Sequence, residues 1–166
     1  NNVRKSIDSL GDNVIYIQKW PWGGGEEYQW WKYYKRPIVT YKEFKELKER
    51  STLSNAVAFT FGGQRTIKRG NDVLERVAIS AITYEFPQIL SFDMEKGRFF
   101  SQTEINSAKN IVLIGHTVAV SLFGDFNPIG ESIKVAGINA TVIGVIEKQG
   151  ESITGNSQDE TILCSY

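Results

Sequence analysis

His116 is the sole histidine and Cys164 the sole cysteine of the chain, so chemistry built on either has no second copy to recruit. A zinc site needs three or four His, Cys or carboxylate ligands at defined spacing, and a nucleophile needs a base held by a third group. Neither pattern surrounds His116 or Cys164. His116 opens an apolar stretch of helical period, which predicts a surface or capping role. The adjacent carboxylates Glu26-Glu27 and Asp159-Glu160 fall in stretches that read as loops, where such neighbours solvate a turn rather than exchange protons. Gly23-Gly24-Gly25 lacks the lysine and serine of a phosphate-binding loop, as does Gly62-Gly63-Gln64. Neither Ser121 nor Ser132 completes the G-x-S-x-G elbow of a serine nucleophile. These residues predict no catalytic site, no metal and no cofactor.

The aromatic stretch 20–34, WPWGGGEEYQWWKYY, is different. It holds every tryptophan of the chain, Trp20, Trp22, Trp30 and Trp31, together with Tyr28, Tyr33 and Tyr34. Its triple glycine gives the backbone high freedom and predicts an irregular loop. Rings of this kind either pack back onto the domain as a satellite core or stay exposed for a partner, where they bury much area at low entropic cost. Trp20, Trp22, Trp30 and Trp31 are therefore the candidate partner contacts, for a peptide, lipid, glycan or protein.

The bulk properties narrow the class. At 166 residues the chain is one domain, or one domain with an insertion, and buries roughly 70% of its unfolded surface. With 41% hydrophobic and 23% charged residues it has globular composition. Lys+Arg and Asp+Glu are 19 each, which argues against a nucleic-acid partner, since those domains carry a basic excess. One cysteine excludes an internal disulfide. No apolar run approaches the ~20 residues of a membrane span, and no signal-peptide core is present. The chain starts at Asn1, which suggests a piece of a longer protein.

Among the elements that would position any site, 97–146 is the clearest. Ile111-Val112-Leu113-Ile114 is a continuous apolar run, as in a strand covered on both faces. A helix over 117–123 follows, with Val118 above Leu122 and Ala119 above Phe123, and Gly124 as its C′ glycine. Asn127-Pro128 opens a turn; 132–135 and 140–146 read as a hairpin about Gly137. Upstream, Val3, Ile7 and Leu10 have helical spacing, and 14–18 (VIYIQ) reads as a strand. Thr40 and Glu43 form a capping box for a helix that turns Tyr41, Phe44 and Leu47 inward and a mixed-charge face outward. Residues 56–61 read as a strand stopped by Gly62-Gly63, and 65–68 and 73–82 as strands around Gly70-Asn71-Asp72. Short helices are predicted at 84–90, where Pro87 suits a first turn, and at 103–107. A loop over 150–159 and a last strand over 161–166 complete an α+β pattern.

In order along the chain, several short motifs resemble the periplasmic core domain of MacB-type ABC-transporter permeases, the MacB/FtsX-like permease family. They are Gly97-Arg98-Phe99, Glu104, Asn110 to Gly115, Leu122-Phe123-Gly124, Pro128-Ile129-Gly130 and Val142-Ile143-Gly144-Val145. Leu10-Gly11-Asp12-Asn13 and the helix at 40–49 add to the likeness. The resemblance implies a membrane-proximal α/β lobe, residues 1–58 and 148–166, interrupted by a β-rich inserted lobe, 59–147. It implies a place on the periplasmic face of the bacterial inner membrane, as the non-catalytic part of a permease that docks an adaptor or substrate and transmits conformational change during export or lipoprotein release. The implied partners are a periplasmic adaptor, a cytoplasmic ATPase domain and a second copy in the intact permease. It further implies a strand–helix–strand after Tyr166. The Trp-rich stretch 20–34 lies outside the family pattern. The alternatives are a free-standing exported binding module that uses this stretch, and a small hydrolase with a carboxylate or histidine cluster in a pocket.

Overall fold

The computed structural model describes residues 14–19, 34–90, 92–149 and 158–166. Helix α1 (Tyr41–Arg50) precedes a long hairpin, β1 (Thr60–Arg69) and β2 (Asp72–Ile82). There follow α2 (Phe86–Ile89), β3 (Met94–Gly97), α3 (Gln102–Asn106), β4 (Ile111–Gly115) and α4 (His116–Phe123). The hairpin β5 (Ser132–Val135) and β6 (Ile138–Ile146), a 3-10 turn (Gln158–Glu160) and β7 (Thr161–Ser165) end the chain. The strands among the described residues form one sheet in the order β3-β6-β4-β7-β2-β1-β5, and β5 also pairs with β6. All strands except β3 thus close into a ring.

β4 is the strand that the apolar run predicted. Every one of its residues is buried, because alternate side chains feed two separate cores. Val112 and Ile114 point into the ring beside Ile67, Ile133, Val142 and Ile162. Ile111 and Leu113 point the other way, onto Ile82, Phe100, Ile146 and Leu163. Each such aliphatic side chain contributes about 1.5–3 kcal/mol by leaving water. β6 lies parallel to β4, and β7 lies antiparallel to it and parallel to β2.

α4 fills the ring. Val118, Ala119, Leu122 and Phe123, the paired positions of the helical spacing, are its buried residues and belong to the inner core. Its first turn sits close beneath the 3-10 turn: a Cβ on Gly115 would lie 2.3 Å from the Gln158 carbonyl oxygen. At the other end the Arg69 guanidinium lies 4.3 Å from the Phe123 ring centroid, and its Nη1 donates to the Leu122 carbonyl at 3.0 Å. A cation there satisfies a free carbonyl and complements the helix dipole.

The expected capping box of α1 is present, with the Thr40 backbone N–H donating to Glu43 at 2.7 Å. Its inward face is shorter than the spacing predicted. Phe44 is buried and Tyr41 stacks on Tyr166 at 4.6 Å, but Leu47 is 41% exposed. The helix docks through its first turns on the rings of Phe59 and Tyr166, and beyond them Lys48 donates to Glu85. Burial raises the Glu85 carboxyl, yet its hydrogen bonds, that from Lys48 foremost, bring it net below the ordinary value.

Two strand expectations are corrected. Residues 56–59 are not strand; β1 begins at Thr60 and runs through Gly62-Gly63. Those glycines pair with Ser80 and Ile79, and a Cβ on Gly62 would lie 2.5 Å from the Ile79 carbonyl oxygen. They mark a close approach within a strand rather than its end. Residues 14–18 form no strand, and Ile15 is 88% exposed; a β-rich stretch becomes a strand only when a neighbour supplies the ladder. The helix expected at 3–10, most of the Trp-rich stretch and the loop at 150–157 lie outside the described residues. α2 and α3 form where short helices were expected, with Pro87 in the first turn of α2.

Candidate functional surfaces

The residues that sequence chemistry singled out do not converge. His116 is the first residue of α4, and its Nδ1 lies 2.6 Å from Glu95 Oε2, with both side chains about a third exposed. That is a side-chain contact at the surface, and the helix cap falls to the backbone of Gly115. Cys164 is half-buried in β7 with Sγ 3.8 Å from the Ser80 carbonyl oxygen. Burial pushes its thiol up, away from the thiolate that nucleophilic chemistry needs. Asp159 and Glu160 lie on the 3-10 turn, not in a loop; Asp159 is buried and accepts from the Gln149 backbone N–H at 2.8 Å. Among the described residues no three His, Cys, Asp or Glu side chains gather as a metal site. Trp20, Trp22, Trp30 and Trp31, with Glu26-Glu27 and Gly23-Gly24-Gly25, lie outside the described residues.

An open groove of about 390 Å³ runs between β2 and α4, lined by Gln64, Glu75, Arg76, Thr117, Ser121 and Glu160 among others. It arises at a bulge, where Glu75 and Arg76 together face Thr66 across the β1–β2 ladder. Arg76 has φ +55, a left-handed backbone that L residues seldom adopt. The lining mixes both signs of charge.

A dense polar arrangement joins residues that stand in the sequence only as separate motifs. Arg98 follows β3 and reaches Glu104 on α3 with both arms of its guanidinium, Nη1 to Oε2 at 2.7 Å and Nη2 to Oε1 at 2.8 Å. The same carboxylate accepts from the Ser101 backbone N–H at 3.0 Å and its hydroxyl at 2.8 Å, completing a capping box. Ser101-x-x-Glu104 carries that signal in the sequence; the arginine partner has none, because it depends on the β3–α3 turn. Glu104 is held well below the usual carboxylate range by the Arg98 hydrogen bonds first and the Ser101 donors next. A carboxyl depressed on folding stabilises fully above its ordinary value, and that contribution is lost as pH falls through the folded value. Glu104→Gln should therefore lower the urea midpoint at neutral pH, with the variant and wild-type curves converging toward acid. Parallel curves across the acid range would contradict this account.

The profile of the MacB-like periplasmic core domain matches residues 1–166, the whole chain. This chain belongs to that family. Its relatives include the macrolide export ATP-binding/permease protein MacB of Chlorobium luteolum, 29% identical over 164 residues, covering 98% of this chain and 24% of that protein. The pyoverdine export ATP-binding/permease protein PvdT of Pseudomonas aeruginosa is 30% identical over 105 residues, 63% of this chain and 16% of that protein. The chain thus spans about a quarter of the length of the relatives that match it end to end. In fold it is similar to the extracellular domain of the noncanonical ABC-type transporter YknZ, with TM-score 0.66 and 21% identity over 76% of this chain and 62% of that one. It is also similar to the periplasmic region of MacB from Actinobacillus actinomycetemcomitans, with TM-score 0.64 and 14% identity over 75% of this chain and 54% of that one. The α+β class of a MacB-like periplasmic core domain is therefore the class observed here.

Proposed function

We propose that this MacB-like periplasmic core domain works on the periplasmic face of a bacterial inner membrane as a non-catalytic part of an ABC-transporter permease. It docks an adaptor or substrate and passes on conformational change, while ATP hydrolysis belongs to a separate cytoplasmic domain. The observation that carries the reading is the family match over residues 1–166, with relatives that are export permeases about four times its length. The closed ring with a core on each side of β4 suits a body that moves as one piece. α1 suits a joint, since it is held by a few rings and by the Lys48–Glu85 pair.

The stacking of Tyr41 on Tyr166 supports a lobe formed by residues 1–58 and 148–166, and β7 ties that lobe into the sheet of 59–147. Trp20, Trp22, Trp30 and Trp31 are assigned to partner contact, and a second copy of the domain to the intact permease.

Motion at α1 is testable in the membrane-embedded permease. Lys48→Cys with Glu85→Cys, bridged by a short bismaleimide, should abolish export while nucleotide binding by the ATPase domain is retained. Export at the unbridged rate would sink the joint. Membrane spans of ~20 residues on both sides of the domain in its parent protein are also expected; a cleavable signal and no span would favour a free-standing exported binder.

A further inference from the structure

β1 is bordered on one side by β2 along its length. On its other side β5 pairs only with Ile67 and Lys68, through Val135 and Lys134. The Ala136 N–H then donates to the Thr66 carbonyl at 3.4 Å, and Ala136 and Gly137, at φ +51 and +89, turn the chain away into β6. Residues 60–65 of β1 therefore keep an edge with no strand on it among the described residues, and all of them are exposed. Every second backbone N–H and C=O on such an edge points outward and can take another strand.

Where β5 leaves that edge there is an open groove of about 580 Å³, lined by Arg65, Thr66, Lys68, Lys134, Ala136 and Gly137. Its charged residues are all cations, in a chain whose net charge is zero. Lys68 and Lys134 are direct cross-strand partners, an arrangement of like charges that destabilises a sheet. Neither has an ion pair among the described residues. Lysines often guard an edge against unwanted pairing, but Lys68 has a strand on each side, β2 and β5, and guards none. A local cost without a structural return marks a binding surface.

We propose that the free edge of β1 takes an extended acidic peptide segment as an added strand, with the carboxylates at its β5 end beside Lys68 and Lys134. Gly62 and Gly63 leave the adjoining stretch without side chains, so a second backbone can approach closely. The occupant is a partner's segment rather than a second copy of this edge, because residues 51–71 contain no acidic residue to meet the cations. Strand addition supplies affinity through the backbone, and the charges select the sequence. The inference rests on this edge alone and not on the export reading.

The test uses the detergent-solubilised parent protein that carries this domain and a fluorescent peptide about six residues long, alternating valine and glutamate, followed by anisotropy. Saturable binding that weakens with salt is expected, together with a loss of about tenfold in Lys134→Glu and in Lys68→Glu. The lysine counterpart of the peptide should not bind. Methylating alternate backbone amides of the glutamate peptide should abolish binding. The melting temperature of Lys134→Glu should equal or exceed that of the wild type, since a like-charge pair is removed, so lost binding is not lost folding. No saturable binding, unchanged affinity in both variants, or full binding by the methylated peptide overturns the proposal. Tighter binding to phosphatidylglycerol vesicles than to the peptide also overturns it, and would assign the cations to a lipid surface.

Discussion

Gly97→Ala lowers the unfolding free energy by about 2–5 kcal/mol, the sum of two separable costs. Gly97 has φ +75, a backbone that an L residue adopts at a cost of about 1–2 kcal/mol. A Cβ there would also lie 2.2 Å from the Ile143 carbonyl oxygen and 2.8 Å from the Cα of Gly144. These are backbone atoms of a buried strand, so relief requires β3 to move off β6, at a further cost of about 1–3 kcal/mol. Gly144 is the ladder partner of Gly97, and its own missing side chain leaves room for the Arg98 carbonyl, 2.7 Å from where its Cβ would be. The glycine pair thus fixes the exit from β3 that delivers Arg98 to Glu104. Urea unfolding should show Gly97→Ala and Glu104→Gln to be less than additive, since the first already displaces the arginine. Gly130→Ala is the control. It shares a positive φ, +86, but has nothing within 4 Å of the added Cβ. If Gly97→Ala costs no more than Gly130→Ala, the close approach of β3 to β6 is not what the glycine serves.

Phe123→Ala costs about 3–5 kcal/mol, the usual range for removing a core aromatic ring, and lowers the melting temperature by roughly 6–20 °C. Phe123 is 2% exposed and belongs to the core inside the ring of strands. Its loss leaves a cavity that a closed sheet cannot collapse to fill. It also strips the Arg69 guanidinium of the ring beneath it, while the bond from Arg69 to the Leu122 carbonyl remains. Phe123→Leu keeps most of the volume and should cost about 1.5 kcal/mol or less. Calorimetry of both variants decides it. Equal small losses would mean that α4 is a lid on the sheet rather than its filling.

The two arrangements differ in how readable they are. α4 is written in the sequence, because the i, i+4 pairs Val118/Leu122 and Ala119/Phe123 lie within one helical turn of each other and Gly124 ends the pattern. β4 is equally plain: an apolar run covered on both faces is the same signal whatever covers it. The Thr40–Glu43 capping box and the hairpin about Gly137 depend on residues a few positions apart, and they appear where the spacing places them. The motifs Gly97-Arg98-Phe99 and Glu104 were also visible, as marks of the family.

Other features were settled by residues distant in sequence. Nothing near residues 161–165 says that β7 lies between β4 and β2, or that β5 bridges β6 and β1 to close the ring. Gly62-Gly63 reads as a stop until Ser80 and Ile79 arrive beside it, and residues 14–18 read as a strand until no ladder forms. Arg98 and Glu104 meet only because Gly97 lets β3 leave β6 at that angle. Lys68 and Lys134 become neighbours only through a register between strands that are remote along the chain. Periodicity, caps and turns are set by atoms a few residues apart, so the sequence by itself determined α4, β4, the Thr40–Glu43 capping box and the family. Strand neighbours, register and close backbone approaches depend on which distant surfaces bury each other, so the tertiary structure alone decided the ring, the Arg98–Glu104 pair and the basic groove beside the free edge of β1.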